Sequence, residues 1–223
     1  MPLTMGILTG NMLMPVTMAL TDSQGTGSNP PATIDFGAQA IGVAAANRLV
    51  VVVFQHADSN NRYFTSMSIG GVGATTNKYQ KTSSGWYGVA VSSRVVPAGT
   101  TTTVSVSCTS SVNQAAIAVY AINQVDLLPI VLKASCGSVT PAVPATINFS
   151  ALGSVLIGGV NQTGSNSIVA SFVGWTRNTR SLHLSNNGQY CAGSNRTATS
   201  AAHQISVSNC PSGSPMAACV YGV

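Results

Sequence analysis

Short apolar runs separated by turn-rich clusters follow one another along the chain from residue 32 onward. Such alternation is typical of an all-β protein. In residues 101–108, Val104 and Val106 alternate with threonine and serine, so one face of the segment is apolar and the other polar. In the first half, the pattern predicts strands at residues 32–36, 48–55, 63–69, 85–91, 101–108 and 114–122.

One run, residues 49–54 (LVVVVF), is apolar at every position. Periodicity alone is compatible with a buried helix as well as with a strand. The run is short and rich in β-branched side chains, which favours a strand. We therefore expect a central strand that is covered on both faces.

The N-terminal segment, residues 1–23, is apolar and contains five methionines. No Lys or Arg precedes Arg48, so the basic region of a secretory signal is missing. Glycine, asparagine and proline interrupt the run, which disfavours a membrane helix. Two interpretations stay open: a short strand with a mobile tail, or a docking arm that adds a strand to a neighbour's sheet. The candidate arm residues are Met5, Met12, Met14 and Met18.

The second half of the chain resembles the first. Residues 31–36 (PATIDF) return as 144–149 (PATINF), residues 104–108 return as 205–210 with one insertion, and residues 116–122 return as 217–223. The separation falls from 113 residues between Pro31 and Pro144 to 101 residues between Tyr120 and Tyr221. The order of the matches is kept, which predicts an internal duplication. A unit of about 100 residues fits a β-sandwich.

These patterns predict an all-β fold of two packed β-sandwich halves, jelly-roll or Ig-like, with an extended N-terminal arm. The arm and a linker occupy residues 1–30, and residues 22–33 have the Gly, Pro and Ser content of a linker. The halves span 31–124 and 140–223, and the apolar connection 125–139 is expected to carry a strand. The halves are either separate sandwiches or one pseudo-two-fold unit, and we favour two packed, non-independent halves.

Composition separates this chain from most soluble proteins. Charged residues make up 6% of it, and the four acids are all aspartate. A helical bundle is disfavoured, because the glutamate, lysine and arginine that usually cover helices are scarce. The net charge of +5 comes from a shortage of acids, and the nine bases are scattered. Nucleic-acid binding, which needs clustered bases, is not predicted. No membrane partner is predicted either.

Residues suited to catalysis are few. The sequence has no nucleophile elbow, phosphate-binding glycine loop or HExxH pair. His56 and Asp58 with a serine are the only triad considered, and no catalytic residue is predicted. The residues His183, Cys191, His203 and Cys210 suit zinc by type, but their spacing matches no common zinc motif. No metal and no cofactor are predicted.

Five cysteines leave at least one unpaired within the chain. Each could be a small buried hydrophobic residue. Cys191 and Cys210 are the candidate disulfide, and Cys108 with Cys136 is a second pair. We expect none or one such bridge within the chain, and a bridge between chains is the alternative.

The two tryptophans, Trp86 and Trp175, are the candidate exposed aromatic contacts. Exposed aromatic side chains mark interfaces and could form a sugar platform. Core packing is the competing role for such side chains in a β-protein.

Residues 68–75, 95–100, 103–107 and 116–122 carry strand and turn patterns that resemble small β-sandwich proteins of tailed-bacteriophage structural modules. The resemblance covers residues 32–122 well and the second half loosely, and no functional residues carry over. It implies a non-enzymatic virion protein, foremost a capsid decoration protein that docks on a particle lattice through its N-terminal arm and sheet edges, or else a tail or collar accessory.

The expected partners are further copies of the chain, with a trimer as the natural form, and the major capsid or tail proteins of a virus particle. The expected location is the virion. The alternative function is a tail or fibre adhesin that binds host surface glycan. A secreted hydrolase acting through His56 is a third hypothesis.

Overall fold

The computed structural model describes residues 16–58, 60–84, 86–123, 129–138, 145–147, 154–162, 171–173, 175–182, 189–197, 203–208 and 213–222. Within these ranges every regular element is a strand and none is a helix. No helix in this part of the chain could therefore span a membrane. The predicted all-β class is confirmed.

The first half contributes nine strands. They are β1 (Thr17–Gly25), β2 (Thr33–Ala40), β3 (Leu49–Ala57), β4 (Phe64–Ile69), β5 (Val72–Gly73), β6 (Thr75–Lys81), β7 (Tyr87–Val95), β8 (Thr101–Cys108) and β9 (Gln114–Asn123).

Eight strands are described in the second half. They are β10 (Val131–Ser138), β11 (Ala145–Ile147), β12 (Ser154–Gln162), β13 (Ser171–Val173), β14 (Thr176–Leu182), β15 (Gln189–Thr197), β16 (His203–Ser208) and β17 (Met216–Gly222).

The strands form antiparallel sheets stacked in layers. In the first half, a five-stranded sheet of order β1-β9-β3-β7-β6 packs on a four-stranded sheet of order β2-β8-β4-β5. In the second half, the five-stranded sheet has the order β10-β17-β12-β15-β14, and its partner has the order β11-β16-β13. The two five-stranded sheets pack against each other, so the apolar layer between them joins the halves.

Strand β3 explains the continuous apolar run. It lies between β9 and β7, and all nine of its residues are buried. Val50, Val52 and Phe54 face the core of the first half, while Val51 and Val53 face the layer between the halves. Both faces are therefore covered, as predicted. The alternation predicted in β8 is also confirmed, because Val104 and Val106 are fully buried.

Two segments that were expected to lie outside the sandwiches supply strands. Residues 17–25 fall in the predicted arm and linker, but they form β1, an edge strand paired with β9 from Thr17 to Gly25. Met18 packs against the layer between the halves, which corrects its assignment to a docking arm. The connection at 125–139 carries β10, the strand expected there, and β10 pairs with β17.

The second half repeats the strand order of the first. If the strands of each half are numbered from its own first strand, and the extra strand β5 is left out, both five-stranded sheets have the order 1-8-3-6-5. Irregularities also recur at matching places. The β6–β7 pairing skips Asn77, and the β14–β15 pairing skips Asn178, 101 residues later.

Buried Arg48 fixes the loops at one end of the first half. Its guanidinium donates to the backbone carbonyls of Gly42 at 2.9 Å, Val96 at 2.9 Å and Ala98 at 2.8 Å. The loops before β3 and after β7 are thereby tied together. These carbonyl oxygens supply the hydrogen-bond acceptors that a buried guanidinium needs.

Candidate functional site

Two exposed aromatic side chains lie in loops at the other end of the first half. Trp86 lies in the turn between β6 and β7 and is 46% exposed. Tyr63, just before β4, is 37% exposed, and the ammonium of Lys81 lies 4.0 Å from the centre of its ring. The exposure predicted for Trp86 is thus confirmed. Tyr63 was not predicted, since nothing in the sequence distinguishes it from the buried tyrosines.

Backbone hydrogen bonds hold these loops together. The Asp58 amide donates to the carbonyl of Trp86 at 2.6 Å, which joins the loop after β3 to the β6–β7 turn. Tyr63 and Thr109 exchange two bonds, which attach the loop after β8. The side chain of Arg62 donates to the backbone carbonyl of Ser111. Three loops therefore present Trp86 and Tyr63 on one fixed surface, which we call the loop cluster.

Charges in the loop cluster are partly balanced. Arg62 lies 3.6 Å from the buried carboxylate of Asp58 and its backbone amide donates to the same oxygen. Lys81 makes a cation–π contact with Tyr63. The surface offers two exposed aromatic side chains and a cation, a combination suited to binding.

Trp175 does not share this exposure. It is 5% exposed, packs in the core of the second half, and its indole N–H donates to the carbonyl of Ser206 at 3.2 Å. The prediction that it is an exposed aromatic contact is wrong. A single sequence cannot separate the two tryptophans, because core and surface aromatics occur in similar local patterns.

His56 is enclosed in the first half. Its side chain is fully buried beside Phe54, and its Nε2 lies 3.1 Å from the hydroxyl of Tyr79. Burial and, to a lesser extent, the positive charge of Lys81 lower the pKa of His56 to about 3. The ring is neutral at ordinary pH and has no route to solvent, while Asp58 is engaged by Arg62. This arrangement gives His56 a structural role.

Metal-ligating side chains are not brought together in the part of the chain that the structure describes, where no group of three His, Cys, Asp or Glu could hold an ion. Of the four residues considered for zinc, His183 and Cys210 lie outside that part, His203 begins β16, and Cys191 is buried in β15.

The second predicted cysteine pair does not form. Cys108 and Cys136 are free thiols, one in the core of the first half and one in β10. Burial raises the pKa of Cys108 to about 12 and that of Cys136 to about 11, so both are protonated and weakly reactive. The pair Cys191 and Cys210 stays a prediction, because Cys210 lies outside the described residues. Met5, Met12 and Met14 of the predicted arm also lie outside them.

Reciprocal hydrogen bonds join the halves at the layer between the five-stranded sheets. The hydroxyl of Tyr120 in β9 donates to Oδ1 of Asn178 in β14, which also accepts a bond from Ser194 Oγ at 2.6 Å. In the opposite sense, Asn77 in β6 donates to the hydroxyl of Tyr221 in β17 at 3.2 Å, and its Oδ1 accepts from Ser93.

Further polar contacts at this layer are buried. Nδ2 of Asn161 in β12 donates to the backbone carbonyl of His56 at 2.5 Å, and Gln55 in β3 donates to two carbonyls of the second half. Asn161 belongs to an N-glycosylation sequence pattern, but its complete burial precludes glycan attachment in the folded protein. These contacts fix how one half sits on the other.

Comparisons with known proteins assign no family. No protein-family model matches the chain, and neither curated proteins nor solved structures gave a match.

Proposed function

We propose that this chain is a non-enzymatic structural protein of a virus particle, most simply a capsid decoration protein. The observation that carries the proposal is the nested pairing of its strands. In the first half β1 pairs with β9, β2 with β8, and β3 with β7, and the second half has the same pairings between its own strands. Nested pairing of this kind supports a jelly roll, a long hairpin wrapped on itself, which is the architecture of viral capsid and lectin domains.

An internal duplication of one jelly roll explains the reciprocal contacts between the halves. Tyr120 and Tyr221, Asn77 and Asn178, and Ser93 and Ser194 are all 101 residues apart. Each tyrosine bonds to the asparagine of the other half. In a two-fold symmetric dimer, residue i of one copy contacts residue j of the other, and residue j of the first contacts residue i of the second. The reciprocal contacts therefore support descent of the two halves from a homodimer of one ancestral domain.

The surface chemistry also favours assembly over catalysis. With charged residues at 6%, identical copies repel each other weakly. The edge strand β10 begins with two exposed apolar residues, Val131 at 43% and Leu132 at 41%. No described strand pairs with the outer side of β10. Such an edge, together with residues 1–15, is where docking to a capsid or to another copy is expected.

Immunogold labelling of purified virus particles carrying this gene tests the proposal. We expect label on the particles, and a Leu132→Lys variant should lower the number of copies per particle. Val43→Lys is the matched control, since Val43 is 80% exposed and lies in the loop between β2 and β3, not on β10. Particles without label, while the protein is abundant in the same lysate, would contradict the proposal.

The exposed aromatics of the loop cluster favour a second candidate, an adhesin that binds host glycan. Sugars stack on exposed aromatic rings, and Trp86 and Tyr63 offer two of them. If this function holds, Trp86→Ala abolishes binding on a glycan array, whereas Trp86→Phe keeps part of it. Binding that is equal in wild type and Trp86→Ala would eliminate the loop cluster as the adhesin site.

A further inference from the structure

A cavity of about 200 Å³ lies where β1, β9 and β3 of the first half meet β14 and β15 of the second. Residues of both halves line it, so it exists only in the assembled chain. Its rim includes Ser23 and Gln24, which are exposed on the edge strand β1, and its wall includes Gln55 and Tyr190, which are buried. We call this space the seam pocket.

The seam pocket marks a place where the two halves differ. Gly25 pairs with Ala116 in the first half, and Gly137 pairs with Ala217 at the matching position of the second. Over Gly137 the space is filled, because Cε of Lys78 lies only 2.8 Å from where a Cβ would stand. Thr179 occupies the position in β14 that Lys78 occupies in β6, because each directly follows the asparagine that the strand pairing skips. The shorter side chain leaves the pocket open.

Gln55 supplies a fixed acceptor in the pocket wall. Its Nε2 donates to the carbonyls of Val160 at 2.7 Å and Cys191 at 3.0 Å. Two carbonyl partners use both amide hydrogens, so the orientation of the carboxamide is settled. Its Oε1 accepts no hydrogen bond from the residues that the structure describes, and Gln55 lines the pocket. An acceptor in the pocket wall can take a hydrogen bond from a ligand hydroxyl or from water.

Donors stand nearer the rim. Ser23 is exposed at the rim and pairs with Ala118, which belongs to the layer between the halves, so the hydroxyl of Ser23 can donate into the pocket. The Oγ1 of Thr179 accepts from the amide of Ala192 at 3.2 Å, so its hydroxyl hydrogen is also available. The pocket therefore combines one deep acceptor with donors at its mouth, and hydroxyl groups can satisfy both kinds.

The remaining lining excludes charged ligands and suits a small ring. Ala116, which packs beside Tyr190, supplies an apolar surface, and none of the described residues that line the pocket is ionised at neutral pH. The volume corresponds to roughly seven water molecules at about 30 Å³ each, below the roughly 300 Å³ of a typical drug-sized site. We propose that the seam pocket binds one uncharged sugar residue, its hydroxyl groups on Gln55 and Ser23 and its apolar face against Ala116.

Saturation-transfer NMR of the full chain with a panel of neutral methyl hexopyranosides tests this site. We expect transfer to at least one sugar, with millimolar affinity. Thr179→Lys introduces the side chain that Lys78 provides at the matching position, where it fills the space over Gly137. This variant should weaken sugar binding at least tenfold, while Thr179→Ser should keep the affinity within twofold. If Thr179→Lys fails to fold, Ser23→Tyr on the exposed rim blocks the mouth instead.

Trp86→Ala separates this pocket from the loop cluster, since Trp86 does not line the pocket. The seam pocket predicts that this variant binds the monosaccharide as wild type does. Absence of transfer from every neutral sugar at 50-fold excess over protein overturns the proposal, and so does binding that survives both Thr179→Lys and Ser23→Tyr. Neither result bears on immunogold labelling of particles, so this proposal can fail while the structural function stands.

Discussion

The hydroxyl of Tyr120 donates a 3.0 Å hydrogen bond to Asn178 across the layer that joins the two halves. Tyr221 accepts the matching bond from Asn77, so each half holds the other by the same kind of contact. Both tyrosines are fully buried. A buried hydroxyl needs such a partner, which makes this layer specific as well as apolar.

Removing either hydroxyl should cost stability by similar amounts. We expect Tyr120→Phe and Tyr221→Phe each to lower the unfolding free energy by about 0.5–1.5 kcal/mol. Guanidinium denaturation measures this, with Tyr63→Phe as the control because Tyr63 is exposed. A loss in only one of the two variants would argue against equivalent roles.

Glycine at position 159 lets β12 approach β3. A Cβ there would stand 2.7 Å from Cγ1 of Val53 in the other half. Gly159→Ala should therefore destabilise the protein by about 1–3 kcal/mol through overpacking. Adding Val53→Ala removes that clash and should recover part of the loss, because Gln55 and the Cys191 carbonyl also lie within 3.0 Å. No recovery in the double variant would show that the halves do not meet through this contact.

Acid should destabilise the fold through His56. Its pKa is lowered from 6.5 to about 3, so the unfolded chain binds a proton that the folded one does not between these values. The stabilisation is complete above pH 6.5 and is lost as the pH falls, by up to about 1.4 kcal/mol per pH unit. Denaturation at a series of pH values checks this, and His56→Gln should flatten the profile. Equal slopes in both proteins would exclude His56 as the cause.

Two N-terminal deletions distinguish the role of residues 1–15 from the role of β1. Deletion of residues 1–24 removes an edge strand and uncovers β9, so we expect aggregation or a large drop in melting temperature. Deletion of residues 1–15 spares β1 and the buried Val16, and should leave melting unchanged. Equal melting of the two variants would contradict the role of β1. With melting intact, loss of particle binding by the shorter deletion supports the docking arm.

Much of the first half follows from its sequence because its strands are strongly patterned. The six strands predicted there correspond to β2, β3, β4, β7, β8 and β9. Three edge strands, β1, β5 and β6, were not among these six. β5 has only two residues, and the other two were missed because an edge strand has one solvent-facing side and tolerates polar residues. β1 contains Asp22 and Gly25, and β6 is largely polar, so neither shows an apolar pattern.

The candidate sites were harder to predict, because they depend on residues that are distant in sequence. Gln55 is buried next to carbonyl groups more than 100 residues away, and nothing near it in the sequence indicates that contact. Trp175 likewise owes its burial to the sheet that covers it. Trp86 was named only as one of two tryptophans, and its exposure follows from the start of β7 at Tyr87, which leaves Trp86 outside the strand expected at 85–91.

Whether the halves unfold together tests the central claim, that two sandwiches form one unit. Each half has one tryptophan, so in Trp86→Phe the emission reports only on Trp175 in the second half. Far-UV circular dichroism of the same variant reports strands of both halves. We predict that the two signals change at the same guanidinium concentration, in one transition. Two separate transitions would show independent domains and contradict the account.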